Sequence, residues 1–421
     1  MSGTPITFKD ALNELDDRRI KSIRPLIPPQ ILVEDYPLSM QAANTVVTGR
    51  KEAEQIVKGE DDRLLVIVGP CSVHDVKAGL EYAAKLKKYA DQAKEDLCII
   101  MRVYFEKPRT TVGWKGLIND PNLNGSFQIN KGLRLARGLL LEIAEMGLPA
   151  GTEFLDTISP QYTADLISWG AIGARTTESQ VHRELSSGLS MSIGFKNGTD
   201  GSISIAVDAI KSASSSHVFL SVTKHGISAI VETGGNDACH VILRGANKGP
   251  NYSPEDVAKV SADLSKAGLK PRIMIDCSHG NSEKKHENQI KVVNSIKEQL
   301  SSDAPEGQNI LGCMLESNHL DGKQSIPASG PQDLVWGRSV TDACISWETT
   351  VTALDTLREG VRARRAKVAN ATKLNGTANV AIGGSEGGIN DGVLPRKDQE
   401  SVGFNDDILS RLGRRGAGNL S

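Results

Sequence analysis

Leu64-Leu65-Val66-Ile67-Val68-Gly69-Pro70-Cys71 decides the fold. A short aliphatic run of this kind reads as a buried strand, and the Gly-Pro turn after it presents a thiol. The same arrangement recurs seven times. Leu97–Met101 runs into Arg102, followed by Lys107 and Arg109. Pro149–Thr152 leads to Glu153, Ala171–Ala174 to Arg175, Ser192–Phe195 to Lys196 and Val241–Leu243 to Arg244. Ile273–Ser278 reaches His279, and Ile310–Leu315 reaches Glu316. Every run therefore ends on a group that can hold an anion or a metal. Between the runs lie segments with helical spacing. Residues 77–94 carry Leu80, Ala83, Ala84, Leu86 and Ala90, and residues 127–146 carry Leu133, Leu139, Leu140 and Ile143. Strand followed by helix, repeated, implies a parallel sheet. Eight such units close into a (β/α)8 barrel, whose strand ends converge on one face where chemistry is built. The expected class is α/β, a TIM barrel that carries an N-terminal arm and an inserted β-hairpin.

The additions are also read from the chain. Residues 1–40 are polar, with Pro25, Pro28, Pro29 and Pro37, and are expected to form an arm outside the barrel, which spans 41–367. Two short β-like runs, 217–223 and 227–231, flank Lys224-His225-Gly226 and predict a hairpin between barrel strands five and six. The last helix is expected from Asp342 to about Lys367, ending in a basic run with Arg362, Arg364 and Arg365. The Gly-rich stretch 368–421 is expected to be disordered.

Composition narrows the function classes. The 421 residues carry 49 basic and 51 acidic side chains, so no global field draws the protein to nucleic acid or to a membrane. No apolar stretch approaches the length of a membrane helix. Asp10, Glu14, Asp16 and Asp17 near the N-terminus argue against a secretory or transit segment. The six Cys are scattered, without CxxC spacing, and read as reduced thiols of a cytoplasmic protein.

The candidate chemistry has two parts. Arg102, Lys107, Arg109, Arg175, Lys196 and Arg244 all fall at or just after strand ends. Gathered on one face, they would repel one another without a ligand bearing several negative groups, such as phosphates and a carboxylate. Within the loop after Arg102, Pro108 stiffens the chain between two cations, and Thr110 and Thr111 add hydroxyl donors, as a phosphate cradle needs. The second part is a mixed thiolate, imidazole and carboxylate set, Cys71, His279, Glu316 and Asp342, suited to Mn, Fe, Co or Zn.

Several blocks together resemble class I 3-deoxy-D-arabino-heptulosonate-7-phosphate (DAHP) synthases. These are 69–75 (Gly-Pro-Cys-Ser-Val-His-Asp), 102–111, 170–180, 194–200 and 339–344 (Ser-Val-Thr-Asp-Ala-Cys), within a match running from about residue 15 to 367. The resemblance implies a metal-dependent barrel that condenses phosphoenolpyruvate with erythrose 4-phosphate at the entry to the shikimate pathway. It implies Cys71, His279, Glu316 and Asp342 as metal ligands. Arg102, Lys107, Arg175, Lys196 and Arg244 would surround phosphoenolpyruvate, with Glu153 nearby. Lys107, Pro108, Arg109 and Thr110 would hold erythrose 4-phosphate, and Lys107 or His279 would move the aldehyde proton. An aromatic amino acid inhibitor is implied at a cavity containing Leu189, Ser190, Phe219, Ser221 and Lys224. Ser221 favours phenylalanine, where Gly would leave room for the hydroxyl of tyrosine. The arm and hairpin imply a homodimer or homotetramer. The chain departs from common family usage at Ser192, Ala246 and Gly280, none of which removes a functional group. Rival readings are a Schiff-base aldolase built on Lys196, a barrel that only senses aromatic amino acids, and a related sugar-phosphate synthase acting on arabinose 5-phosphate.

Overall fold

The computed structural model of the protein describes residues 8–109, 113–327 and 329–381. In chain order, three helices come first, α1 (Phe8–Leu15), α2 (Pro29–Asp35) and α3 (Met40–Lys58). Then follow β1 (Leu64–Gly69), α4 (Val76–Ala93), β2 (Leu97–Arg102), α5 (Ile129–Glu145), β3 (Ala150–Glu153) and α6 (Pro160–Thr163). After these come β4 (Trp169–Ile172), α7 (Gln180–Gly188), β5 (Ser192–Lys196) and α8 (Ser204–Ala213). The hairpin is β6 (Val218–Val222) and β7 (Ser228–Glu232). The chain continues through β8 (Cys239–Leu243), α9 (Pro254–Lys266), β9 (Ile273–Asp276), α10 (Gln289–Leu300), β10 (Ile310–Glu316) and α11 (Trp347–Ala381). The described residues up to Asn370 form one compact unit, and 371–381 are helical.

Eight strands close a parallel barrel in the order β1-β10-β9-β8-β5-β4-β3-β2. All eight expected runs are strands of this barrel, and the hairpin lies between its fifth and sixth strands. The period of two sorts the core. Leu64, Val66 and Val68 of β1 face the helical layer. Leu65 and Ile67 join Ile100, Trp169, Ile242 and Met314 in the barrel interior. Ala53, Ile56 and Val57 of α3 belong to that interior cluster and plug one end. The barrel is therefore a packed core, and the opposite end is free to hold polar groups.

Two boundaries differ from expectation. The last helix begins at Trp347, not Asp342, because residues 344–345 bridge to the loop after β10 (Ser317↔Ile345, Gly322↔Cys344). Ser346 then accepts from the Thr349 N–H at 3.2 Å and starts the helix. Its end lies at Ala381 rather than near Lys367, since neither Pro nor a Gly pair interrupts the Ala-containing stretch before Gly383-Gly384. Beyond Ala381, the expected Gly-rich tail lies outside the described residues.

The arm docks on the chain's own barrel and hairpin. The Gln30 N–H donates to the Lys224 carbonyl at 2.7 Å, and Asn130 accepts from the Ile27 N–H at 2.9 Å. The hairpin alternates, with Leu220 86% and Ile230 76% exposed on the outside, and Phe219 and Ser221 half-buried beneath. No helix among the described residues is long and apolar enough to cross a membrane.

Candidate active site

Register brings the reactive groups together. Gly69 pairs with Glu316, Val68 with Met101 and Lys196 with Ile242, so the residues ending β1, β2, β5 and β10 sit at one level of the barrel mouth. Gly69 has φ +155°, and a Cβ there would lie 2.7 Å from the Arg102 carbonyl oxygen. Glycine thus permits the close turn against β2 that precedes Cys71.

One cavity of ≈ 140 Å³ opens at this mouth. All six expected cations line it, together with Pro108, Glu153, His279 and Asp342. Thr110, expected beside them, lies outside the described residues. Glu153 lies across the opening because Gly173 has no side chain, and a Cβ there would stand 2.2 Å from Glu153 Oε1.

Two of the six cations have buried carboxylate partners. Arg102 Nη2 lies 3.0 Å from Glu316 Oε1, with both side chains at 1% exposure or less. Its guanidinium also donates to the Pro70 and Cys71 carbonyls and stacks 3.6 Å above the Tyr104 ring. Lys196 Nζ donates to Asp276 Oδ2 at 2.8 Å. The others have no acidic partner among the described residues. Arg109 donates to the Trp114 carbonyl and Arg175 to the Pro108 carbonyl, while Arg244 stands in the wall. Burial pushes the Arg244 pKa down, and neighbouring Arg175 adds to that, against Asp276. A surplus of positive charge therefore faces the cavity, as an anionic ligand with several acidic groups requires.

Beneath the cations lie the candidate metal ligands. Donor atoms of Cys71, Glu316 and Asp342 fall within 4.8 Å of one another. His279 joins this group through Glu316 alone, with Nε2 3.7 Å from Glu316 Oε1. The donors fit a metal. Buried Glu316 Oε1 has no hydrogen-bond partner, although it lies beside Arg102. Burial alone would raise the Glu316 carboxyl, yet His279, Arg102 and Lys107 hold it down at about 2. Ser278 Oγ donates to its other oxygen at 2.9 Å, and the Gln289 side chain bonds both the N–H and the carbonyl of its backbone. Lys107 Nζ donates to Cys71 Sγ at 3.0 Å. Burial pushes the Cys71 thiol up, with Glu316 adding to it. His279 occupies the left-handed region at φ 54°, a strained conformation for a non-glycine residue that is held by its surroundings.

Sequence reasoning missed Asp276. This fully buried carboxylate touches both Lys196 and His279, whose Nδ1 lies 2.9 Å away. It leaves the imidazole's Nε2 facing Glu316, the second-layer support that ligating histidines usually have. The signal was present, a lone acid within an apolar run three residues before a histidine. Glu106 was also missed. It accepts from Ser159 Oγ at 2.9 Å, and burial, with Asp156 nearby, pushes its carboxyl up to about 7.

A second cavity, of ≈ 330 Å³, lies beneath the hairpin. Leu189, Ser190, Phe219, Ser221 and Lys224 all line it. The Lys224 ammonium donates to the Gln161 carbonyl, tying the hairpin to the segment after β3.

Known proteins are similar to this chain in sequence and fold. The Phe-sensitive phospho-2-dehydro-3-deoxyheptonate aldolase of Escherichia coli K12 is 57% identical over 350 residues, covering 83% of this chain and 98% of its own. The tyrosine-inhibited enzyme of Schizosaccharomyces pombe is 53% identical over 353 residues, covering 83% and 94%. The solved structure of phospho-2-dehydro-3-deoxyheptonate aldolase from Francisella tularensis SCHU S4 superposes with a TM-score of 0.79 at 54% identity, over 82% of this chain and 99% of that one. With the DAHP synthetase I family model matching residues 36–355, the chain belongs to the family that its strand-end motifs resemble.

Proposed function

We propose that this protein condenses phosphoenolpyruvate with erythrose 4-phosphate to give DAHP and phosphate, the first step of the shikimate pathway to aromatic amino acids. The observation that carries the reading is the convergence of six cations over a Cys, His and carboxylate donor set at one barrel mouth. Arg102, Lys107, Arg175, Lys196 and Arg244 hold the phosphate and carboxylate of phosphoenolpyruvate, with Glu153 at the edge. Lys107, Pro108 and Arg109, with Thr110, hold the sugar phosphate. Cys71, His279, Glu316 and Asp342 hold a divalent metal, Mn, Fe, Co or Zn, which when bound supplies Lewis acidity toward the aldehyde. Held in place by the two anion clamps, C3 of phosphoenolpyruvate forms the new bond to the aldehyde carbon. Water adds at C2, and the hemiketal then loses phosphate. Orientation of two anions that would otherwise repel supplies much of the rate. Lys107 or His279 protonates the former aldehyde oxygen. Lys196 is committed to Asp276, which argues against its use as a Schiff-base nucleophile.

The cavity beneath the hairpin is the inhibitor site in this reading, for phenylalanine in preference to tyrosine, with Ser221 reducing the space at the ring's far end. The exposed apolar faces of hairpin and arm, including Leu220, Ile230, Phe8 and Ile23, support assembly into a homodimer or homotetramer. The site of action is the cytoplasm, where five buried Cys and one partly buried Cys stay reduced. The test is mass spectrometry of the products. A seven-carbon phosphorylated sugar acid must form only when both substrates are present, with one phosphate released per product. Phosphate release from phosphoenolpyruvate alone at the same rate contradicts the reading.

A further inference from the structure

The end of the barrel opposite the active site carries a second cationic cavity. It measures ≈ 440 Å³ and lies where β1, β9 and β10 begin. Lys58, Arg63, Lys270, Arg272 and Arg364 supply positive charge there, against Asp61 and Asp62. The two acids are already engaged, Asp61 with Arg63 at 2.6 Å and Asp62 with Arg365 at 2.6 Å. Lys58 is paired with Glu54 and Asp237. Arg272, Arg364 and Lys270 have no acidic partner among the described residues.

Arg364 is 6% exposed, and only backbone carbonyls meet it, those of Ile310 at 3.3 Å and Asp62 at 2.5 Å. Arg272 has one long contact, 3.4 Å to the Gln308 carbonyl. Guanidinium carries five N–H donors, so most of those on the two arginines remain available to a ligand. Burial pushes both arginines down, and Arg364 is lowered further by Arg365 and Arg272, against Asp62. Arg272 lies over the glycine that ends α3, where a Cβ on Gly59 would stand 1.4 Å from its Nη2.

We infer that this basal cavity binds a small phosphate-bearing anion. Two guanidinium forks and an ammonium offer more donors than one carboxylate can accept, whereas the oxygens of a phosphate can take them together. The cavity also has room for an organic group attached to that phosphate. A bound anion would relieve the repulsion between Arg272 and Arg364. It would tie together the end of α3, the starts of three strands and α11, and raise stability by mass action. This site is independent of the reaction at the mouth.

The test is isothermal titration of the full chain with inorganic phosphate at fixed ionic strength, compared across variants. Arg272→Gln removes the basal binding event while kcat and KM stay as in the wild type, and Arg175→Gln weakens only the event at the mouth. An Arg272→Gln isotherm superimposable on the wild-type one overturns the proposal. If that variant fails to fold, Lys270→Gln, at an exposed position, is expected to weaken the basal event several-fold, and unchanged binding there overturns it equally. Repeating the titration with glucose 6-phosphate separates the sources. Tighter binding than inorganic phosphate, lost in Arg272→Gln, indicates a phosphorylated metabolite, and the reverse order indicates free phosphate.

Discussion

The barrel mouth and the cavity beneath the hairpin are built from opposite materials. At the floor of the mouth, Arg102, Lys196, Asp276 and Glu316 are buried and held by named partners. Glu316 is gripped through its backbone by Gln289 and through its carboxylate by Ser278 and Arg102, and Asp276 joins Lys196 to His279. Under the hairpin, one wall comes from a two-stranded ribbon outside the barrel sheet, with its other face in solvent. A two-stranded ribbon alone is marginal, so its position depends on contacts such as Lys224 to Gln161 and Gln30 to Lys224. The difference teaches that rigid strand ends suit positioning for chemistry, while an added, loosely anchored ribbon suits a site whose occupancy must change something.

Substitutions at the two regions should therefore differ in size and kind. The largest effect is expected from Cys71→Ala, which should abolish turnover and metal binding while leaving the fold intact. Phosphate-release assays with metal analysis check this, and near-normal metal content and activity would break the contrast at its strong end. Asp276→Asn comes next. Removing one partner of a buried pair costs about 3–5 kcal/mol, so urea unfolding should show a loss of that order together with a fall in kcat. A loss below about 1 kcal/mol, the range of surface pairs, would mean that the mouth is less tightly built than described.

A third prediction uses pH. Burial pushes His240 down to about 4 from 6.5, and its Nε2 accepts from Trp169 inside the barrel. The neutral form is the folded form, so its contribution is present above pH 6.5 and is lost as pH falls toward 4. Stability should drop by up to about 3 kcal/mol across that window. Urea midpoints at pH 7 and 4.5 measure the drop, which should shrink in His240→Gln. An equal drop in the variant would assign the effect to other groups.

The smallest effect belongs to the hairpin. Ser221→Gly should leave kcat unchanged and move the preference from phenylalanine toward tyrosine by roughly tenfold, about 1.4 kcal/mol. Inhibition curves for both amino acids check this. Unchanged preference would separate Ser221 from inhibitor choice, and a large fall in kcat would remove the distinction between the two regions.

Most of the fold was legible because each strand is a short apolar run stopped by a charged or reactive residue. The eight runs, the hairpin and the six cations needed only that pattern. Three features were less legible. Asp276 sits inside a run that otherwise reads as pure core, and only the fold shows Lys196 arriving from a distant strand to meet it. Gln289 acts through backbone atoms of Glu316, a contact between α10 and β10 with no local spacing. The last helix was misplaced at both ends. Its start depends on long-range bridges, and its end lies in a stretch without strong stop signals. His279 was expected at a strand end, but its left-handed backbone was not visible from the residue type.

The central claim is that a metal held by the Cys71 group and the cations above it act as one site. The most direct measurement is phosphate release from phosphoenolpyruvate and erythrose 4-phosphate, before and after exhaustive chelation and again after adding Mn. Turnover that needs both substrates, disappears on chelation and returns with Mn is the predicted result. Turnover that survives complete removal of metal would contradict the account and return attention to Lys196.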